Sequence, residues 1–228
     1  MNNNLQELED KINYKFKDCQ ILETAVTHSS YVKEHAHVKK SNERLEFLGD
    51  AFFDAIIGEE LFNKFSEKEE GFLSQLRATL VCESALAQQA DRIGLGEYLR
   101  LGNGEDRNGG RKRKSILADA LEAVMGAVYL DGGFEAVKQV VLGIFEKDIH
   151  EVESGHYNIK DYKTALQEKL QRNGNVNIKY KVINENGPDH DKTFTVRLAI
   201  DGKEQTMGEG KSKKKAEQQA AQKLLEKL

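Results

Sequence analysis

The sequence holds one proline, no tryptophan and only two cysteines, Cys19 and Cys82, in 228 residues. Two thiols cannot build a disulfide framework or a thiolate zinc cage, so any metal here must be held by oxygen or nitrogen, and the chain suits a reducing compartment. No stretch approaches the roughly 18 uninterrupted apolar residues of a membrane-spanning helix. The opening MNNNLQELEDK has neither the basic flank nor the apolar segment of a secretory signal. A cytoplasmic protein with no membrane partner is expected. Hydrophobic residues make up 39% and charged residues 32%, a balance too apolar for general disorder. The length allows one large domain or two ordinary ones.

The net charge of −4 conceals an asymmetry: residues 155–228 carry 15 Lys+Arg against 10 Asp+Glu, net +5, which leaves −9 for residues 1–154. A basic module beside an acidic one suits a polyanion held by the first and a task requiring concentrated carboxylates in the second. From about 5 to 150 the apolar spacing is helical, predicting helices near 5–13, 18–27, 42–65, 70–92, 115–130 and 133–151. GNGEDRNGGRKRK at 102–114 reads as a surface loop, and a weakly patterned linker falls at 152–159. After it, DYKTALQEKLQR is helical, and NIKYKVI, TFTVRLAI and KEQTMGEG alternate with period two as an antiparallel meander. A last helix follows Ser212, with Ala216, Ala220, Leu224 and Leu228 in one stripe. The expected architecture is an all-α domain over 5–133, its helices extending to about 151, followed by a small α-β-β-β-α domain over 160–228.

Two segments put carboxylates where a core is expected. In SNERLEFLGDAFFDAIIGEELF, Glu43, Glu46, Asp50 and Asp54 share a helix face about 80° wide. Leu45, Leu48, Phe52 and Ile56 lie opposite, with Phe47, Phe53 and Ile57 at its borders. Within this segment no base stands three or four residues away to relieve the repulsion. SILADALEAVMGAVYL at 115–130 is apolar or small almost all round except for Asp119 and Glu122. Unpaired carboxylates in a buried helix each cost several kcal/mol unless protonated, paired or bound to a cation. Pairing with Arg44 or Arg77 is the structural alternative. If the two helices face each other, Glu46, Asp50, Asp119 and Glu122 make an oxygen-only cage suited to Mg²⁺ or Mn²⁺. A di-iron bundle would need His three residues after a Glu on two helices, which these acids lack. His35 and His37 fall in a polar stretch, and His28 in VTHSS reads as a capping or packing residue.

In the basic module, Lys211, Lys213, Lys214 and Lys215 crowd the start of the last helix, where cations oppose the helix dipole. Their position there suggests a bound anion, the helix N-terminus and ammonium groups acting together on phosphates. The meander shows no aromatic pair for stacking splayed bases, which favours a duplex over a single strand. GGRKRKS lacks the Gly-Lys-Ser/Thr ending of a nucleotide-phosphate cradle, and no nucleotide cofactor is expected.

NERLEFLGD at 42–50 and GGRKRKSILADALEAVMGAVYLDGG at 109–133 resemble the two signature segments of the ribonuclease III family. GPDHDKTFTV followed by GEGKSKKKAEQQAA resembles a double-stranded-RNA-binding domain. The resemblance covers nearly the whole chain. It implies a homodimeric, divalent-metal-dependent endoribonuclease that cuts double-stranded RNA to 5′-phosphate and 3′-hydroxyl ends with short 3′ overhangs, with ribosomal RNA precursors and other structured transcripts as targets. It places Glu46, Asp50, Asp119 and Glu122 on the metal site, with Asp50 and Glu122 catalytic, and Glu43 and Glu70 as supporting acids. It assigns Gln167, Glu168, Pro188, Asp189, His190, Lys211, Lys213 and Lys214 to RNA contact. The competing readings are a non-catalytic double-stranded-RNA-binding protein and a metal-dependent nucleotide phosphohydrolase.

Overall fold

The computed structural model describes residues 3–154, 162–171, 176–188 and 192–228. The chain divides into two compact units, Met1–Tyr157 and Asn158–Leu228.

The first unit is helical: α1 (Asn3–Lys11), α2 (Cys19–Ala25), α3 (Ser29–Glu34), α4 (Glu43–Lys64), α5 (Glu70–Leu80), α6 (Glu83–Arg92), α7 (Asn103–Arg107) and α8 (Lys114–Glu153). α4 and α8 form its centre. Phe53, Ile56, Ile57 and Leu61 of α4 are buried with Leu121, Val124, Met125 and Val128 of α8, and Phe53 meets Phe145 edge-on at 5.8 Å. The inward face of α4 is therefore rotated from the expected one. Phe53 and Ile57 are core, Leu48 and Phe52 are partly exposed, and Phe47 is 83% exposed. α8 bends at Gly133, whose backbone (φ 80, ψ −173) is non-helical, so the helices expected at 115–130 and 133–151 meet at a kink rather than a loop. There Asp131 accepts hydrogen bonds from the Tyr14 hydroxyl at 2.7 Å and the Lys17 and Asp18 amides at 3.0 and 2.9 Å.

Two expectations are corrected. The single helix predicted over 70–92 is two, because Cys82 is extended (φ −71, ψ 156) and starts α6; the apolar period runs through the break and conceals it. The 102–114 segment is not merely a loop, since it contains α7 and a 3₁₀ turn at Gly110–Lys112. Arg111 organises it, gripping Asp106 through Nε at 2.8 Å and Nη2 at 3.0 Å, and the Gly96 and Leu99 carbonyls through Nη1.

The second unit runs α9 (Tyr162–Gln171), β1 (Ile178–Asn186), β2 (Thr193–Ile200), β3 (Lys203–Gly210) and α10 (Lys213–Leu225). Its sheet has the antiparallel order β1-β2-β3. Asp201 and Gly202, both at positive φ (49 and 81), turn β2 into β3 as an Asp-Gly hairpin requires. Leu166, Leu198, Ala220, Ala221 and Leu224 form the core. The alanines let α10 sit on β3, where the Thr206 hydroxyl reaches the Ala220 carbonyl at 2.7 Å. Ser212 caps α10 by accepting from the Lys215 amide at 3.2 Å. Leu228 does not extend the buried stripe: α10 ends at Leu225 and Leu228 is 57% exposed.

Candidate active site

The acids meet because α4 and α8 touch backbone to backbone. A Cβ on Gly49 would lie 1.8 Å from the Glu122 carbonyl oxygen, and one on Gly126 would lie 2.3 Å from that of Leu45. Only glycine permits this approach. Glu46 lies one turn before Gly49 and Glu122 one turn before Gly126, so the crossing that brings the glycines together also brings the carboxylates together. Glu46, Asp119 and Glu122, all partly buried, each present an oxygen within 4.8 Å of the others. Asp50, the fourth acid expected there, is exposed and falls outside that group, although its charge still acts on Glu46 and Glu122.

Burial and mutual repulsion make these carboxyls hold their protons more tightly. Glu122 is pushed up to about 8, first by burial and then by Asp50, Asp119 and Glu46. Burial also raises Glu46, helped by Asp119, Glu43 and Asp50. Asp119 is raised by burial and by Glu83, while His28 opposes the rise. Among the described residues, no ion pair joins Glu46, Asp119 or Glu122 to a base; Arg77 instead takes Asp54, at 3.6 Å. Carboxylates gathered without a counter-cation either hold protons or take up a metal ion. An all-oxygen donor set fits a hard divalent cation.

Glu43 and Glu70 stand apart from the three-acid group. Both are exposed, Glu43 accepting from the Ser41 hydroxyl at 2.9 Å and Glu70 from that of Ser74 at 2.6 Å. Two residues at the cluster were missed. Glu83 opens α6 and carried no signal, because the break before it is invisible to periodicity. His28 was read as a cap, which it is, but its influence on Asp119 is a tertiary fact.

In the second unit, Gln167 is exposed on α9, Pro188 is exposed after β1, and Lys211, Lys213 and Lys214 are exposed around the start of α10. Lys213 pairs with Glu185 at 3.4 Å and lies over the Phe194 ring at 5.6 Å. Glu168 lies on α9; its side chain, like Asp189 and His190, is outside the described residues.

Residues 18–149 match the family model described as ribonuclease-III-like, and residues 162–228 match that of the double-stranded RNA binding motif. A protein of Caldanaerobacter subterraneus subsp. tengcongensis named Ribonuclease 3 is 50% identical over 224 residues, 98% of each chain. One of the same name from Streptococcus thermophilus is 48% identical over 230 residues, 100% of this chain and 99% of that one. This chain belongs to the ribonuclease III family. Its first unit is also similar to the solved nuclease domain of ribonuclease III from Campylobacter jejuni, with 46% identity and a TM-score of 0.60 over 63% of this chain and 97% of that one. All four acids expected at the metal site fall within the ribonuclease-III-like match. The residues expected at RNA, from Gln167 to Lys214, fall within the RNA-binding-motif match. Among the described residues no helix is long and apolar enough to cross a membrane.

Proposed function

We propose that this member of the ribonuclease III family hydrolyses double-stranded RNA at the acidic cluster, with Glu46, Asp50, Asp119 and Glu122 holding Mg²⁺, or Mn²⁺ in its place. The carrying observation is the convergence of Glu46, Asp119 and Glu122 within 4.8 Å, with no ion pair to a base among the described residues. When bound, the divalent cation supplies Lewis acidity toward the scissile phosphate and acidifies a water molecule. Glu46 and Asp119 each offer a carboxylate oxygen from a different helix, fixed by the glycine crossing. Glu122 keeps a proton on its carboxyl near neutral pH and gives it up when the site is loaded. Asp50, exposed at the rim of the cluster, would with Glu122 hold the cation that acidifies the attacking water, and these two acids are assigned the catalytic role. Hydrolysis leaves 5′-phosphate and 3′-hydroxyl ends with short 3′ overhangs and needs no nucleotide cofactor.

The second unit grips the duplex by shape, as such domains do over roughly 16 base pairs. Gln167 and Glu168 on α9 and Pro188, Asp189 and His190 after β1 meet the minor groove, and Lys211, Lys213 and Lys214 meet phosphates. We assign a homodimer that sets one acidic cluster against each strand; the exposed Phe47 and Leu130 supply apolar surface for such an interface. Cytoplasmic processing of structured transcripts, ribosomal RNA precursors included, fits a chain whose Cys19 and Cys82 are free thiols.

The test is a defined RNA duplex incubated with and without Mg²⁺, with product lengths and end chemistry read on a gel. Metal-dependent cuts with 5′-phosphate ends are expected. Glu122→Ala should abolish them while duplex binding persists, since the RNA anchor lies in the second unit. A duplex bound but left intact in Mg²⁺ would leave only a non-catalytic RNA-binding role.

A further inference from the structure

A carboxylate stands against one of the lysines assigned to phosphate. Lys213 Nζ lies 3.4 Å from Oε1 of Glu185 and 5.6 Å over the Phe194 ring. Glu185 of β1 pairs with Phe194 of β2, and Phe194 with Gly210 of β3, so one row of residues crosses the sheet and ends against the first turn of α10. Glycines let the helix come down onto that end. A Cβ on Gly208 would lie 2.1 Å from the Ala216 carbonyl oxygen, and one on Gly210 would lie 2.6 Å from the Ala216 amide nitrogen. The close seat of α10 on β3 therefore brings Lys213 within reach of Glu185.

Stability does not account for this pair. The side chains are 59% and 42% exposed, and ion pairs so open to water contribute little to folding. For RNA the carboxylate is a cost. A phosphate oxygen on the far side of the ammonium would sit about 2.8 Å from Nζ, which sets the two anions about 6 Å apart. Repulsion between unit charges at that separation is worth about threefold in affinity even at the dielectric of water. Glu185 also lies three residues before Pro188, so the pair joins two of the regions assigned to RNA contact.

We infer that Glu185 restrains RNA affinity: it holds Lys213 and offsets part of that lysine's attraction for phosphate, so the second unit grips a duplex less tightly than its lysines alone would. The inference rests on the RNA-contact reading of Lys213 above. Attraction to phosphate carries no information about the shape or sequence of the ligand. A carboxylate at one phosphate contact lowers that term and leaves more of the choice of ligand to the groove contacts. It also eases release of a cut duplex, which presents the same backbone charge as an uncut one.

The test is binding of a defined RNA duplex by the full chain in chelator, followed by fluorescence anisotropy from about 50 to 200 mM salt, with thermal unfolding alongside. Glu185→Gln is compared with wild type, and again in chains that also carry Lys213→Ala or Lys214→Ala. Glu185→Gln should bind about threefold more tightly at the low-salt end and steepen the slope of log affinity against log salt by up to about 0.9, with the melting temperature unchanged. The gain should persist beside Lys214→Ala and disappear beside Lys213→Ala, because it acts through that one lysine. Unchanged or weaker binding by Glu185→Gln overturns the inference, as does an equal gain beside Lys213→Ala, which would make Glu185 one surface charge among many. Wild-type affinity and slope in Lys213→Ala alone would instead overturn the RNA-contact reading of that lysine, and this inference with it.

Discussion

Replacing Glu122 by glutamine should make the metal-free protein more stable, by an amount that grows as pH rises above about 4.5 and is complete above about 8. The Glu122 carboxyl is raised from 4.5 to about 8 by burial and by three neighbouring acids. The folded state therefore binds this proton more tightly than the unfolded chain does. Stability is full below pH 4.5 and falls as pH rises through the window up to about 8, because folding then forces a charge into a partly buried acidic cluster. At 1.36 kcal/mol per pH unit the full displacement would correspond to about 5 kcal/mol. Solvent reaches the half-buried group and screens it, bringing the net cost to about 2 kcal/mol.

Glutamine has the same shape and no charge, so Glu122→Gln removes that cost. For a chain of this size, 1 kcal/mol moves Tm by about 2–4 °C, so in chelator at pH 8.5 the variant should melt about 4–8 °C above wild type. At pH 5 the wild-type side chain is already protonated and the two curves should nearly coincide. Mg²⁺ reverses the order, because a ligand at a hundred times its Kd stabilises by about 2.7 kcal/mol; the wild type should gain this at pH 8.5 and the variant little of it. The same increment at both pH values, or none at pH 8.5, would refute the claim that an unneutralised charge sits at the α4–α8 crossing.

Two further outcomes follow from particular contacts. Gly49→Ala drives a methyl group into the Glu122 carbonyl, so it should cost about 3 kcal/mol in denaturant unfolding and impair cleavage by parting Glu46 from Glu122; a neutral effect on both would remove the crossing as the cause of the cluster. Lys213→Ala with Lys214→Ala should weaken duplex binding and reduce the slope of log affinity against log salt by about 1.8, at roughly 0.9 per phosphate contact. An unchanged slope would mean that neither lysine touches phosphate.

How much of this was legible depends on the range of the interaction. The burial of α8, the Asp-Gly hairpin and the Ser212 cap are local consequences of residue type and spacing, and they could be read directly. The carboxylates were legible for a similar reason: Asp119 and Glu122 interrupt a helix otherwise apolar all round, and an unpaired charge there is conspicuous on energetic grounds. The break between α5 and α6 was not, because the apolar period continues through Val81 and Cys82. The rotation of α4 was not either, since Phe52 and Phe53 are equally apolar and only their neighbours decide that Phe53 meets Phe145.

The site itself marks the boundary. A sequence shows which acids share a face of one helix, and on that basis Glu43, Glu46, Asp50 and Asp54 form one set. Tertiary structure divides that set by partner: Arg77 from α5 draws off Asp54, Ser41 holds Glu43, and Asp50 stays at the rim. Only Glu46 closes with Asp119 and Glu122. What selects it is the position of Gly49 and Gly126, whose missing side chains let the two helices approach. Glycines of that kind are silent in a helical pattern, where each merely weakens the helix by about 1 kcal/mol relative to alanine. Two glycines retained in the middle of long helices at that cost, each one turn from an acid, are therefore a signal of close helix contact that composition and periodicity do not carry.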